Sequence, residues 1–289
     1  MVFCGRAVAC GAGTIVNAIS TLRGAAFALD IHTVAEVMLS EDEKGVCGVI
    51  EGGGDARLIE FAVEDTLSRF GLSLGGVVKT SSEIPQASGL KSSSAAANAT
   101  VLATLAAIGE SESLSREDVV RIGVGSAIRA GVTITGAFDD AAASCLGGVV
   151  VTDNEKCEIL RRDEVEAEVV AYVPPVKAFS RDASLSRAKL IAPLVEDANR
   201  SAEAGDYWHA MTLNGLLYCA ALDFSPEPIL DALEVGAVSA TLSGTGPSYV
   251  AITEGDATDA VAKMWGRMDG RVIRTEINNS GAYVMEGEL

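Results

Sequence analysis

The sequence predicts an α+β protein built as two lobes, and three observations lead to this prediction. The chain has 289 residues, which exceeds the roughly 100–200 residues of a usual single domain. Strand-like runs fill the first 80 residues, whereas helix-like segments dominate the second half. A highly charged segment at residues 153–168 separates the two patterns. We therefore predict an amino-terminal lobe of residues 1–160 and a carboxy-terminal lobe of residues 161–289.

The first 80 residues predict a mostly antiparallel sheet. Four β-rich runs are bounded by Gly, Asp or Ser, namely TIVNAI, GAAFAL, TVAEVML and VCGVIE. Apolar residues at helical spacing then predict a helix over residues 55–70, which Gly71 ends. The run GGVVKTSS returns to the strand pattern.

Three further elements complete the amino-terminal lobe. Alanine dominates residues 93–108, which predicts a helix whose small side chains let neighbouring backbones approach closely. Ser115, three positions before Asp118, is similar to a capping box and begins a helix over REDVVRIGVGSAIRA. The segment GVTITGAFDDAAASCLGGVVV indicates a loop, a short helix and a strand.

The carboxy-terminal lobe begins with the run AEVVAYVPP, a strand that two prolines end. Helices are predicted over residues 188–204, 207–222 and 226–235. Two strands, a helix over residues 257–268 and the strands RVIRTEI and AYVME follow. This order favours helices on one face of an antiparallel sheet.

The charge of the chain limits its partners. Acidic residues outnumber basic residues 40 to 22, which gives a formal net charge of −18. A field of this sign repels nucleic acids and anionic membranes, and we expect neither as a partner. No stretch reaches the roughly 18 uninterrupted apolar residues that a membrane-spanning helix needs. An anionic ligand would have to be bound by locally aimed amides, a metal ion or a few basic side chains.

Cysteine and histidine usage suggests a cytoplasmic protein without a zinc site. The six cysteines form no CxxC pair, and we expect buried free thiols in a reducing compartment. The apolar opening segment contains polar Thr14 and Asn17, so we interpret it as part of the fold rather than a signal peptide. His32 and His209 lie far apart and outside any HxxxH or HExxH pattern.

The stretch PQASGLKSSSAAANA, residues 85–99, has the composition of a phosphate-binding loop. A helix that begins here would direct unpaired amide N–H groups and the positive end of its dipole at an anion. Gly89 permits unusual backbone geometry, Lys91 can reach a phosphate, and the serine hydroxyls can donate hydrogen bonds or bind Mg²⁺. The alternative is a serine N-cap on an ordinary helix, for which one serine would be enough. The spacing differs from that of P-loop proteins.

This loop resembles the second motif of the GHMP kinase superfamily, commonly P-x-x-x-G-L-G-S-S-A-A. The matching positions are Pro85, Gly89, Leu90, Ser92, Ser93 and Ala95. Lys91 replaces a glycine of the motif, and Ser94 replaces an alanine. LSGTGPSYVAI, residues 242–252, resembles the third, glycine-rich motif of the same superfamily, and GRAVACGAGTIVNAI is loosely similar to the first.

A further segment, GAFDDAAASCLGG, resembles the part of the mevalonate and phosphomevalonate kinase branches in which an aspartate precedes a Gly-Gly pair by seven residues. Counting back from Gly147 gives Asp140. The resemblance implies that Asp140 accepts or orients the proton of the acceptor hydroxyl. Asp140 could instead be a helix N-cap, and Asp139 is the rival for the catalytic role, although we assign Asp139 a structural role.

The resemblance implies a ribosomal S5 domain 2-like amino-terminal lobe, a ferredoxin-like carboxy-terminal lobe, and ATP and Mg²⁺ as cofactors. SGLKSSSAAANA, GAGTIVNA and TGAFDDAAAS are most similar to the archaeal type of shikimate kinase, which implies phosphorylation of the 3-hydroxyl of shikimate in aromatic amino acid biosynthesis. Homoserine kinase or another small-molecule kinase of the superfamily is the alternative, and a non-catalytic sensor on the same scaffold is a third. The sequence leaves the oligomeric state open.

The same resemblance assigns binding residues. The nucleotide is expected to contact Pro85, Ser88, Gly89, Leu90, Lys91, Ser92, Ser93, Ser94, Thr245 and Gly246. Ser93 would bind Mg²⁺, whereas the position of the glutamate that shares this metal in relatives falls near Ser126. The substrate candidates are Thr14, Asn17, Arg181 and Arg187. A carboxylate substrate needs a cationic partner, which favours the arginines, Arg6 included, although each could equally be a solvated surface charge.

Overall fold

The computed structural model describes residues 1–133, 136–176 and 185–285. These residues form one sheet of seven strands and one of four. The strands are β1 (Val2–Val16), β2 (Arg23–Ser40), β3 (Val46–Ile50), β4 (Gly75–Ser82), β5 (Val149–Asp153), β6 (Glu158–Asp163), β7 (Glu168–Val173), β8 (Ser239–Leu242), β9 (Tyr249–Thr253), β10 (Arg271–Glu276) and β11 (Tyr283–Val284). The helices are α1 (Arg57–Arg69), α2 (Ser92–Ala107), α3 (Arg116–Ala130), α4 (Phe138–Leu146), α5 (Leu185–Leu190), α6 (Ala192–Ala204), α7 (Tyr207–Leu222), α8 (Glu227–Glu234) and α9 (Asp256–Trp265).

The first sheet has the order β11-β1-β2-β4-β3, and β2 also pairs with β5, which pairs with β6. Its pairs are antiparallel except for β3 with β4. The runs GAAFAL and TVAEVML belong to one strand, β2, and β1 begins well before TIVNAI. We expected Asp30 to bound a strand. It instead lies exposed within β2, beside the irregularity at Cys10 and Gly11 where the register against β1 shifts.

Helix α2 packs on β1 at very short distance. A Cβ atom on Gly5 of β1 would lie 2.1 Å from the carbonyl oxygen of Ala103 and 2.5 Å from the amide nitrogen of Ala107. Only glycine allows this approach, which agrees with the small side chains predicted for α2. The contact fixes α2 across the sheet, so the position of its amino-terminal end is set by the core of the lobe.

The second sheet has the order β10-β7-β9-β8, and all its pairs are antiparallel. Numbered along the chain, this is the order 4-1-3-2 of a βαββαβ ferredoxin-like unit. Helix α7 packs on β8 and also on β1, so it links the two sheets. Strand β11 pairs with β1 although it comes last in the chain. The division into lobes at residue 160 stays a prediction.

All six cysteines are free thiols, but not all are buried as expected. Cys10, Cys145 and Cys219 are buried, whereas Cys4 and Cys47 are exposed and Cys157 is half-buried. The two exposed residues lie on β1 and β3, where the exposure of the side chains alternates along the strand. Among the described helices, none combines the length and the apolar character needed to cross a membrane.

Candidate active site

The amino-terminal end of α2 is built without a side-chain cap. Lys91 occupies the N-cap position in the left-handed conformation, with φ 67°, and no side chain accepts a hydrogen bond there. The alternative of a serine N-cap is therefore wrong. The serines lie instead in the first turn, where amide N–H groups have no partner inside the helix. This end of α2 can offer both amides and hydroxyls to an anion.

Lys91 forms a largely buried ion pair with Asp140. Its Nζ lies 2.9 Å from Oδ2 of Asp140, and the two side chains are 10% and 11% exposed. Gly244 in the third motif makes room for the ammonium group, because a Cβ atom there would lie 2.6 Å from Nζ. The ion pair joins the amino-terminal end of α2 to Asp140, the acid that the sequence predicts to be catalytic.

Asp140 lies in the first turn of α4, whose N-cap is Ala137, and no side chain caps this helix. The N-cap role considered for Asp140 is therefore excluded. Its second oxygen, Oδ1, is buried and makes no hydrogen bond within the described residues. An ionised carboxylate with one oxygen held by a lysine and the other uncommitted is suited to accept a proton.

Asp139 has different surroundings. Its Oδ1 accepts a hydrogen bond of 2.8 Å from Nδ2 of Asn154, whose own Oδ1 accepts one of 2.7 Å from the hydroxyl of Thr152. Gly24 lies so close that a Cβ atom there would be 2.4 Å from Oδ2 of Asp139. Burial, together with the charge of Asp140, raises the pKa of the Asp139 carboxyl to about 7, against the opposing effects of Lys91 and Asn154. The hydrogen bond from Asn154 and the close approach of Gly24 hold Asp139 in place.

A small cleft, with a cavity volume of about 40 Å³ and partly open to solvent, lies over this pair. Five of the predicted site residues line it, namely Thr14, Asn17, Lys91, Asp140 and Thr245. The sequence did not point to the other lining residues, which are Ala18, Ile19, Thr133, Ala137 and Gly244, and it gave Asp139 only a structural role. Gly244 lies inside the third motif, so the motif could have indicated it, whereas Ala18 and Ile19 carry no chemical signature.

The three motif segments are tied together by hydrogen bonds. The amide of Gly244 donates to Oγ1 of Thr14 at 2.9 Å, and Nδ2 of Asn17 donates to the carbonyl of Gly244 at 2.7 Å. The hydroxyl of Ser243, which the sequence analysis did not single out, donates to the carbonyl of Gly89 at 2.9 Å. Thr14 and Asn17 thus use polar groups to position the third motif as well as to line the cleft.

Several residues predicted to contact the nucleotide shape the loop instead of lining the cleft. The side chain of Leu90 is fully buried in the core, and the hydroxyl of Ser88 donates to the carbonyl of Pro85 at 2.7 Å. Gly246 packs against Phe224, whose ring would lie 2.7 Å from an added Cβ atom. Backbone contact between this loop and a nucleotide stays a prediction.

The arginines proposed for a substrate carboxylate do not line the cleft within the described residues. Arg187 is exposed and donates to the carbonyl of Ala220 at 2.9 Å. Arg6 pairs with Glu36 at 3.2 Å. Arg181 lies outside the described residues. Lys91 is therefore the one cationic side chain among the described residues that line the cleft.

The donors available to a magnesium ion are few. Ser93 is exposed in the first turn of α2, whereas Ser126 is buried and donates to Oδ2 of Asp65 at 2.7 Å, between α3 and α1. The described residues contain no group of three or more His, Cys, Asp or Glu side chains able to hold a metal. A single hydroxyl fits Mg²⁺ that takes its other ligands from phosphates and water, as it commonly does.

Comparison with known proteins identifies the family of this chain. The family described as GHMP kinases N terminal domain matches residues 57–148. Shikimate kinase of Methanosarcina mazei is 54% identical over 288 residues, which cover 98% of either chain. Shikimate kinase of Methanosarcina acetivorans is 54% identical over 291 residues, covering 99% of this chain and 98% of the relative.

The fold is similar to a crystal structure of homoserine kinase from Cytophaga hutchinsonii, with a TM-score of 0.76 and 17% identity over 98% of this chain and 97% of that one. The predicted α+β kinase fold is thereby confirmed. Since the archaeal relatives share half of the residues over nearly the whole length, this chain belongs to the GHMP kinase family.

Proposed function

We propose that this protein transfers the terminal phosphoryl group of ATP to the 3-hydroxyl of shikimate, giving shikimate 3-phosphate and ADP. Membership of a kinase family implies the use of ATP, and the relatives at 54% identity are named shikimate kinases. One structural observation carries the proposal: Lys91, at the amino-terminal end of α2, and Asp140 line the same cleft and form an ion pair.

Phosphoryl transfer demands that negative charge on the phosphates be neutralised and that the acceptor hydroxyl be held in line. The first-turn amides of α2 and the ammonium of Lys91 meet the first demand. Asp140 meets the second, because its carboxylate lines the cleft and can take the proton of the acceptor hydroxyl. As the oxygen of the acceptor hydroxyl bonds to the γ-phosphorus, the bond from the γ-phosphorus to the oxygen that bridges it to the β-phosphorus breaks and ADP leaves.

Ser93 is the residue that we propose for Mg²⁺. When bound, the ion would neutralise charge on the phosphate oxygens of the nucleotide. The acceptor would occupy the part of the cleft lined by Thr14 and Thr245. Arg181 stays our proposal for the acceptor carboxylate, since Arg187 uses its guanidinium on a helix carbonyl and Lys91 is engaged by Asp140.

The test is a coupled assay of ADP release by the purified protein with MgATP and, separately, shikimate, homoserine, mevalonate and galactose. We expect ADP release that depends on shikimate and a product phosphorylated at the 3-hydroxyl. Turnover of homoserine without turnover of shikimate would reject the substrate. No turnover of any acceptor, with ATP still bound, would favour a non-catalytic sensor.

A further inference from the structure

One wall of the cleft is a short loop that the carboxy-terminal lobe holds in place. Residues 17–22, called loop 17–22 here, connect β1 to β2, and Asn17, Ala18 and Ile19 of this loop line the cleft. This wall lies beside the acceptor part of the cleft, because Thr14, near the end of β1, lines the same cleft. A shift of loop 17–22 would therefore change the shape offered to the acceptor.

Loop 17–22 is bonded to three helices of the carboxy-terminal half. The amide of Asn17 donates to Oδ1 of Asn214 in α7 at 2.9 Å. The hydroxyl of Ser20 donates to the carbonyl of Ala188 in α5 at 2.8 Å. In addition, Nδ2 of Asn199 in α6 donates to Oγ1 of Thr21 at 3.0 Å. The loop is thus positioned by long-range contacts in addition to its own turn, in which the amide of Leu22 donates to the carbonyl of Ala18 at 2.8 Å.

Tyr218 in α7 makes the most contacts with this loop. Its side chain is fully buried, and its hydroxyl accepts from the amide of Ser20 at 3.2 Å and lies 2.5 Å from the Ser20 hydroxyl. The same hydroxyl is 3.1 Å from the carbonyl of Asn17, to which it can donate. Burial raises the pKa of the Tyr218 phenol to about 12, so the donor proton is retained at neutral pH. One atom therefore contacts Asn17 and Ser20, which lie on either side of Ala18 and Ile19 in the cleft wall.

The phosphate loop is held by a different set of hydrogen bonds, and it is linked to loop 17–22 through the third motif, where Nδ2 of Asn17 donates to the carbonyl of Gly244. Residues 85–91 are held by the hydroxyl of Ser243, by the amide of Ser248, which donates to the carbonyl of Ser88 at 3.0 Å, and by the amide of Ala12, which donates to the carbonyl of Leu90 at 3.2 Å. Within the part of the chain that the structure describes, the hydroxyl of Tyr218 is hydrogen-bonded to Asn17 and Ser20 and to none of these groups. A disturbance at Tyr218 should reach the acceptor wall before it reaches the nucleotide end.

We propose that Tyr218 is a positioning residue for the acceptor: it fixes loop 17–22, and through it the acceptor wall, without touching the substrate. The proposal rests on the function proposed above. Removing the hydroxyl leaves the Asn17 carbonyl and the Ser20 amide without their buried partner, which favours displacement of the loop.

The test is the variant Tyr218→Phe, assayed with shikimate and ATP varied separately. We expect the KM for shikimate to rise about tenfold or more, while the KM for ATP stays within about twofold. The matched control is Tyr172→Phe, another buried tyrosine, whose hydroxyl donates to the carbonyl of Asp269 at 2.7 Å. The control should leave both KM values near those of the wild type. Both variants lose a buried hydroxyl, so a rise in the KM for shikimate seen only in Tyr218→Phe reports the position of loop 17–22.

Equal rises in both KM values, or no rise in either, would overturn the proposal. If Tyr218→Phe does not fold, Ser20→Ala decides, because it removes the loop hydroxyl that contacts Tyr218 and Ala188; the same separation of the two KM values is expected. A wild-type protein inactive with shikimate would instead reject the proposed function. Wild-type activity with unchanged KM values in the variants would reject the role of Tyr218 alone.

Discussion

Asp139 and Asp140 are neighbours of the same chemical type, yet the fold gives them different tasks. Asp140 faces the cleft with one oxygen on Lys91 and the other without a hydrogen bond in the described structure. Asp139 is fixed by Asn154, and its raised pKa favours the protonated form more than an exposed aspartate would. The environment, not the residue type, separates the proposed base from the supporting acid.

We predict that Asp140→Asn lowers kcat by about 10² to 10⁴, because the amide cannot accept the proton of the acceptor hydroxyl. The substitution preserves shape, so folding and ATP binding should persist. Asp139→Asn is the matched control: an amide resembles the protonated acid and can still accept from Asn154, so kcat should fall only a few-fold. Steady-state kinetics and nucleotide titration measure both. Wild-type kcat in Asp140→Asn, or equal losses in the two variants, would contradict the assignment.

Sequence reasoning selected Lys91 and Asp140 separately but did not predict their contact. Lys91 was expected to face phosphates because it lies in the phosphate loop, whereas the fold turns its ammonium toward Asp140. The pairing depends on the left-handed backbone at Lys91 and on the space beside Gly244, and both arise from tertiary packing. Tyr218 was not indicated for the same reason, since the sequence predicted only a helix over residues 207–222.

At the scale of elements, the phosphate loop and the third motif form one unit. Gly89 has φ 88°, and a Cβ atom there would lie 2.4 Å from the carbonyl oxygen of Ser243. Both the left-handed conformation and the close approach therefore require glycine at this position. The local backbone geometry therefore explains why glycine occupies position 89, which matches a glycine of the family motif.

We predict that Gly89→Ala lowers the free energy of unfolding and raises the KM for ATP, because the loop must move away from Ser243. Gly109→Ala is the matched control, since Gly109 has φ 74° but no atom within 4 Å of an added Cβ. Strain from a left-handed residue alone amounts to about 1–3 kcal/mol, and the excess in Gly89→Ala reports the close approach. Chemical denaturation and ATP kinetics measure the two effects. The argument fails if Gly89→Ala is no worse than Gly109→Ala.

Helices were predicted more accurately than strands. The predicted helix over residues 116–130 agrees with α3, and Ser115 accepts the expected hydrogen bond from the amide of Asp118 at 3.1 Å. By contrast, β6 was hidden in the charged segment, because an edge strand tolerates charged residues and carries little apolar alternation. Long strands such as β2 were divided at polar residues that the pairing with neighbours accommodates.

At the scale of the whole molecule, the sequence predicted the order of helices and strands along the chain but not the contacts that connect the two sheets. The family resemblance implied two lobes, whereas the structure shows how α7 and loop 17–22 connect the second sheet to the first. The cleft lies where these connections meet the amino-terminal end of α2. Such a site consists of residues distant in sequence, so no local pattern can specify its walls.

The excess of negative charge should make stability depend on salt. The net charge is −18, and most ion pairs in the described structure involve exposed side chains, which contribute about 0–1 kcal/mol each. Mutual repulsion therefore outweighs these pairs. Raising NaCl from about 0.1 to 1 M shortens the screening length from about 10 to about 3 Å.

We predict that this change raises the thermal unfolding midpoint by a few degrees, because screening weakens repulsion in the compact state more than in the expanded unfolded chain. Differential scanning calorimetry without nucleotide measures the shift. KCl at equal ionic strength is the control, since screening does not depend on the identity of the cation. A rise with only one salt would indicate specific ion binding, and an unchanged or lower midpoint would mean that repulsion among the 40 acidic residues does not limit stability.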